Sequence, residues 1–234
     1  LAVHHESNPM LGNRGCRLLL TLPGLLDMQV RAIVQATIAC RRRGLDVRPQ
    51  IMVPLVSHEN ELRALRMRIE QAIDHARREA KFTGRLTIPI GTMIETPRAA
   101  LLADRIAAFA EFFSFGTNDL TQMALGISRD DVGMFMPTYL EQHLLDADPF
   151  TSIDVPGVGQ LIRTAIVRGR RVRPDLEIGI CGEHGGDPAS IAFCNEVGVD
   201  YVSCSPFRVP AARLAAGQAR INHDQPESRA RKRR

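Results

Sequence analysis

The chain has 234 residues, room for one large domain or two small ones, and its apolar (44%) and charged (24%) fractions are those of an ordinary globular protein. No apolar run approaches the ~18 residues of a membrane span, and His4, His5 and Glu6 stand where a signal peptide needs its apolar stretch. The formal charge of +4 comes from residues 228–234, which hold five of the 30 basic residues and no acid; with 26 acids the remainder is near neutral, so a solvated tail over 221–234 is expected rather than a nucleic-acid surface.

Turn formers through Gly15 predict an opening loop. Pro23 opens a helix over 23–43, with Leu26, Val30, Ile33, Val34 and Ile38 on one face and Gly44 as its stop. Residues 51–56 form a short apolar strand. A long helix then runs over 57–81 with Ser57 as its N-cap, its apolar positions Leu62, Leu65, Ile69, Ala72, Ile73 and Ala76 keeping the 3.6-residue period. The alternation repeats. A strand over 86–95 ends in Glu95 and leads to a helix over 97–110, for which Glu95 is a possible N-cap. A strand over 111–116 leads into a long loop carrying Arg129, Asp130 and Asp131. A helix over 158–172, a strand over 176–180, a helix over 188–197, a strand over 201–204 and a helix over 208–218 complete the pattern.

The strands are near-continuous apolar runs, the mark of a parallel sheet covered on both faces, so the fold class is α/β. Five strand–helix units are legible. They fit either a complete doubly wound sheet or the later part of a (β/α)8 barrel, and periodicity alone does not choose between them.

Five cysteines with no CxxC pair and no secretory signal predict reduced thiols. Cys181 and His184 have CxxH spacing, but a structural zinc site needs four ligands and no second pair stands at comparable spacing. In a parallel α/β fold the active site lies at the carboxyl ends of the strands. Those ends carry Glu95, Asn118 with Asp119, and Cys181 with Glu183 and His184. Taken singly, each has a plain structural use as a cap, a turn residue or a small core residue. Together, two carboxylates on successive strand ends supply what Mg²⁺ takes, hard oxygens from one or two acids. A thiol at the same rim can exchange a proton beside a stabilised enolate. An amide and Arg129 nearby suit a small anionic substrate.

Residues 8–17 (NPMLGNRGCR), 91–100 (GTMIETPRAA), 112–122 (FFSFGTNDLTQ) and 179–188 (GICGEHGGDP) resemble the PEP-utilising enzyme family. Residues 128–133 (SRDDVG) and 202–210 (VSCSPFRVP) are similar to its pyruvate, phosphate dikinase branch more than to PEP synthase or Enzyme I of the sugar phosphotransferase system. The resemblance spans about residues 5–220. It implies a barrel domain over 1–220, incomplete on its N-terminal side, that binds Mg²⁺ and PEP or pyruvate. By motif match Glu95 and Asp119 would hold the metal and, with Gly116, Thr117 and Asn118, contact substrate. Arg129 would pair with the phosphoryl group, Cys181 would exchange the pyruvate methyl proton, and Arg14 would belong to the substrate-side wall. The family's ATP-grasp domain, its phosphohistidine domain and two early-strand arginines have no counterpart motif in this sequence, and the chain begins at Leu1 rather than Met. The resemblance therefore implies a fragment, whose missing domains lie on a longer chain or a separate one, in a cytoplasmic enzyme that is a homodimer when complete. A non-catalytic remnant and a metal-dependent lyase on pyruvate enolate are the competing readings.

Overall fold

The computed structural model describes residues 11–224; the first ten residues and residues 225–234 of the tail expected over 221–234 lie outside them. Five parallel strands form one sheet in the order β1 (Ile51–Val53), β2 (Ile90–Ile94), β3 (Phe112–Gly116), β4 (Glu177–Cys181) and β5 (Tyr201–Val202). Sequential neighbours throughout mean that the order never reverses. A doubly wound sheet needs such a reversal, its topological switch point, and so that alternative is excluded. Right-handed crossovers between consecutive neighbours place the helices on one face of the sheet, as in a barrel.

Register then decides which side chains face which way. Thr92 pairs with Phe113, Ile94 with Phe115, Phe113 with Ile178 and Phe115 with Ile180. These residues alternate onto one face, where Ile94, Phe113, Phe115, Ile178 and Ile180 join the main apolar core. The intervening residues Met93, Ser114, Gly179 and Tyr201 pair across β2–β5 on the opposite face. Glu95, Gly116 and Cys181 continue that second face at the carboxyl ends. One face is therefore packed into the core, and the other carries the candidate site residues Glu95, Gly116 and Cys181.

The helices follow the sequence reading in part. The element α1 (Cys16–Thr21) is a short helix in a stretch for which the sequence reading names no element, and α2 (Pro23–Arg42) lies as predicted. Helix α3 (Glu59–Glu79) is capped by His58, not Ser57, in a capping box closed by Glu61. Thr96, not Glu95, caps α4 (Pro97–Leu101), which leaves the Glu95 carboxylate for other use, and a break at Leu102 separates α4 from α5 (Ala103–Ala107). A helix, α6 (Thr117–Leu125), replaces the first part of the expected long loop, and α7 (Met136–Glu141) follows. The elements α8 (Val158–Val172) and α9 (Pro188–Val197) match their predicted limits, while α10 (Val209–Asp224) runs past the boundary drawn at residue 220. Four of the five strands are shorter than read, and β4 keeps its length one residue later; Pro54, for instance, follows β1 and has no N–H to extend the ladder. No helix among the described residues is long and apolar enough to cross a membrane.

Candidate active site

Glu95 follows the last residue of β2 and is 3% exposed. Its Oε1 accepts the backbone N–H of Leu55, a buried residue held at φ 62 just past β1. Gly116, at the end of β3, has no room for a side chain because a Cβ there would collide with Glu95 Oε2. Asp119 sits in the first turn of α6, where the helix N-terminus favours an acid. Its Oδ2 accepts from Arg14 Nη2 at 2.8 Å, whereas its buried Oδ1 has no hydrogen-bond partner. Both carboxylates line the same cavity. Burial first, and then the negative charge of Asp119, push Glu95 up to about 7.

Cys181 closes β4 across the same rim. Its Sγ lies 3.5 Å from Ser114 Oγ and 3.5 Å from the Phe115 carbonyl. Burial raises its pKa, the Ser114 hydroxyl opposes that, and the charges of Glu95 and Asp119 raise it further. Tyr201 lies on the same face, two strands from Ser114, and burial raises its pKa while Ser114 opposes that. Asn118 Oδ1 accepts the Glu183 N–H at 3.3 Å, which turns the amide NH₂ toward the opening. A cavity of about 270 Å³ is lined by Arg14, Glu95, Gly116, Asn118, Asp119 and Cys181, together with Pro54, Met93 and Gly182.

Two sequence expectations take a different form. Thr117 is fully buried and its hydroxyl engages the Cys181 carbonyl at 2.9 Å and His184 at 2.7 Å, so only its backbone is left for a ligand. Arg129 does not line the cavity; its guanidinium pairs with Glu183 at 3.5 Å on the rim, where Arg208 also holds the Glu183 carbonyl at 3.2 Å. The CxxH pair does not converge either, since both ring nitrogens of His184 are taken by Thr117 and Pro149. Ser114, Tyr201 and Leu55 escaped the sequence reading. Ser114 alone left a trace, as the single hydroxyl inside an otherwise apolar strand.

The arrangement fits a hard divalent cation. An orphaned buried carboxylate oxygen beside a second acid, whose carboxyl is pushed up by burial and then by its neighbour's charge, is relieved by a cation with two positive charges. Among the described residues no three of His, Cys, Asp and Glu form a closed cage, so such an ion would take two protein ligands and leave positions for substrate.

The model of the PEP-binding domain of PEP-utilising enzymes matches residues 1–221. This chain belongs to the PEP-utilising enzyme family. Its similar relatives in that family include pyruvate, phosphate dikinases. The enzyme 2 of Oryza sativa subsp. japonica is 56% identical over 216 residues, and those of Rhizobium meliloti (strain 1021) and Clostridium symbiosum are 57% and 52% identical over 219 and 220 residues. These matches take in 92%, 93% and 94% of this chain but 24%, 24% and 25% of the relatives, so the chain spans about a quarter of their length. Among solved structures, a citrate lyase from Burkholderia xenovorans LB400 matches with a TM-score of 0.51 at 18% identity, over 81% of this chain and 53% of that one, which shows the fold alone.

Proposed function

We propose that this domain performs the pyruvate–PEP half of the pyruvate, phosphate dikinase reaction. In the whole reaction ATP, phosphate and pyruvate interconvert with AMP, diphosphate and PEP through a phosphohistidine. The observation that carries the reading is the meeting of Glu95, Asp119 and the Cys181 thiol around one cavity, with Asp119 Oδ1 left unpaired. Glu95 and Asp119 would hold Mg²⁺, which when bound stabilises negative charge on the substrate oxygen as a Lewis acid.

The chain's own groups supply the rest. The Asn118 NH₂ and the free backbone N–H groups of the first turn of α6 donate to substrate oxygens. When PEP gives up its phosphoryl group, the Cys181 S–H bond breaks and its proton goes to the methylene carbon, leaving a thiolate; in the reverse direction the thiolate takes that proton back from the methyl group. The raised pKa keeps the empty site's thiol protonated and ready for the first of these. Ser114 is placed to hydrogen-bond the thiolate. Met93 and Pro54 present an apolar wall that keeps water off the carbon. Arg129 would leave Glu183 for the phosphoryl group. The barrel domain over 1–220, an ATP-grasp domain, a phosphohistidine domain, a homodimer and a cytoplasmic setting are parts of the same proposal.

The test is a chimaera in which residues 5–220 replace the matching segment of a full-length dikinase. With Mg²⁺ in D₂O it should exchange the pyruvate methyl protons, and Cys181→Ala should not. Undiminished exchange in that variant would remove Cys181 from the mechanism.

A further inference from the structure

His184 is 0% exposed and lines no part of the cavity, yet it is tied to the site more tightly than most residues that do. Its Nε2 lies 2.8 Å from the Pro149 carbonyl and its Nδ1 2.7 Å from Thr117 Oγ1. A carbonyl only accepts, so Nε2 carries the hydrogen. Burial disfavours a second proton on the ring, and Nδ1 is therefore an acceptor. The Thr117 hydroxyl has one proton and two acceptors within reach, Nδ1 at 2.7 Å and the Cys181 carbonyl at 2.9 Å. The imidazole nitrogen is the closer and more basic of the two.

Three chain segments meet here: the start of α6, the end of β4, and the stretch before α8 that carries Pro149. Gly182, at φ 111, lies against Thr117, and a Cβ there would stand 2.6 Å from the hydroxyl. The Glu183 N–H to Asn118 Oδ1 bond is a second clip between the same segments.

We infer that His184 is a positioning residue: anchored on Pro149, it accepts a hydrogen bond from Thr117 and so ties the turn that follows Cys181 to the first turn of α6, setting the Cys181 thiol relative to Asn118 and Asp119 without touching anything bound there. The inference deepens the proposed reading of this site and rests on it for its functional meaning. A core histidine that merely satisfied its own hydrogen bonds would also be buried and doubly bonded, so the test must separate the two arms of the ring. Asn carries its polar atoms near the Nδ1 position and keeps the Thr117 arm; Gln carries them near Nε2 and keeps only the Pro149 arm.

The readout is the iodoacetamide alkylation rate of Cys181 in the 234-residue chain, resolved by mass spectrometry, with Cys204 of the same molecule as internal reference. It is taken with and without Mg²⁺ plus oxalate, a planar dianion shaped like pyruvate enolate. His184→Gln and Thr117→Val should each raise the unliganded Cys181 rate about fivefold or more, the consequence of losing one buried hydrogen bond. The double variant should be no faster than either single one, because both remove the same link. His184→Asn should stay within about twofold of the parent chain, and Cys204 should not change. If His184→Asn and His184→Gln accelerate Cys181 equally, with Cys204 in step, the ring is an ordinary core residue and the inference is overturned. Unchanged Cys181 rates in every variant would overturn it too. Should His184→Gln not fold, Thr117→Val, which only exchanges a hydroxyl for a methyl, carries the decision. Lack of protection by Mg²⁺ and oxalate in the parent chain would count against the pyruvate site itself, and the unliganded rates would still decide the role of His184.

Discussion

The two ends of the same strands carry the same residue types and use them in opposite ways. At the amino ends, Glu111 accepts the Ile90 N–H at 2.7 Å and faces Arg66 at 3.5 Å, while Asp200 accepts the Ile178 N–H at 2.8 Å and Arg170 at 3.0 Å. Each acid there is partly in water, is matched by a cation, and finishes a strand. At the carboxyl ends Glu95 and Asp119 are buried, Arg14 pairs with one oxygen of Asp119 while the other has no partner, and Glu95 is pushed up to about 7. Acids that only closed strands would gain nothing from that arrangement. An unpaired buried oxygen at one rim, and acids fully paired at the other, separate the candidate site from the part of the fold that only stabilises.

The comparison can be broken in four places. The largest effect is expected in the chimaeric dikinase, where Cys181→Ala should slow methyl-proton exchange by at least about 100-fold, the usual scale for a positioned acid or base. Next, Asp119→Asn or Glu95→Gln should weaken Mg²⁺ binding by roughly 100-fold in calorimetric titration, since either removes one of two carboxylate ligands. Asp200→Asn at the other rim should leave that affinity where it was. If Asp200 mattered as much as Asp119, the two rims would not differ in kind.

The third prediction concerns pH. Glu95 binds its proton more tightly folded than unfolded, so its contribution to stability is fully present below about pH 4.5 and is lost as pH rises through about 7. The stability of the metal-free chain should therefore fall across that window by an amount on the order of 3 kcal/mol, read as a falling melting temperature. Glu95→Gln should flatten the dependence, and Mg²⁺ should reverse it; a profile identical in Glu95→Gln would show that other groups set it. The smallest effect belongs to the amino ends, where Asp200→Ala should cost about 1–2 kcal/mol in chemical denaturation by uncapping the Ile178 N–H, with no change in metal binding.

Much of this was legible in the sequence, for identifiable reasons. Helices α8 and α9 could be placed to the residue because apolar period and end signals agree, Asp187 and Pro188 opening α9 and Gly198 closing it. Glu95, Asp119 and Cys181 stood out because each follows an apolar strand. Helix α6 was hidden: its N-cap Gly116 offers no side-chain cap, and its first turn, Thr117–Asn118–Asp119, consists of turn-forming residues. The cap of α3 was misplaced by one residue because His58 is an unusual cap and its partner Glu61 carries the signal. Ser114, Tyr201 and His184 depend on register across β3–β5 and on a contact with Pro149, which no local pattern records. Arg129 was expected in the site, and its contact with Glu183, 54 residues away in sequence, was equally invisible.

The most direct test of the central claim is a crystal structure of the chain with oxalate and Mn²⁺, which takes the same hard oxygen ligands as Mg²⁺ and scatters anomalously. The account predicts one anomalous peak between the Glu95 and Asp119 carboxylates, with oxalate on the ion and one edge facing Cys181 Sγ. A peak elsewhere, with Asp119 Oδ1 still unpaired and the cavity empty, would contradict it.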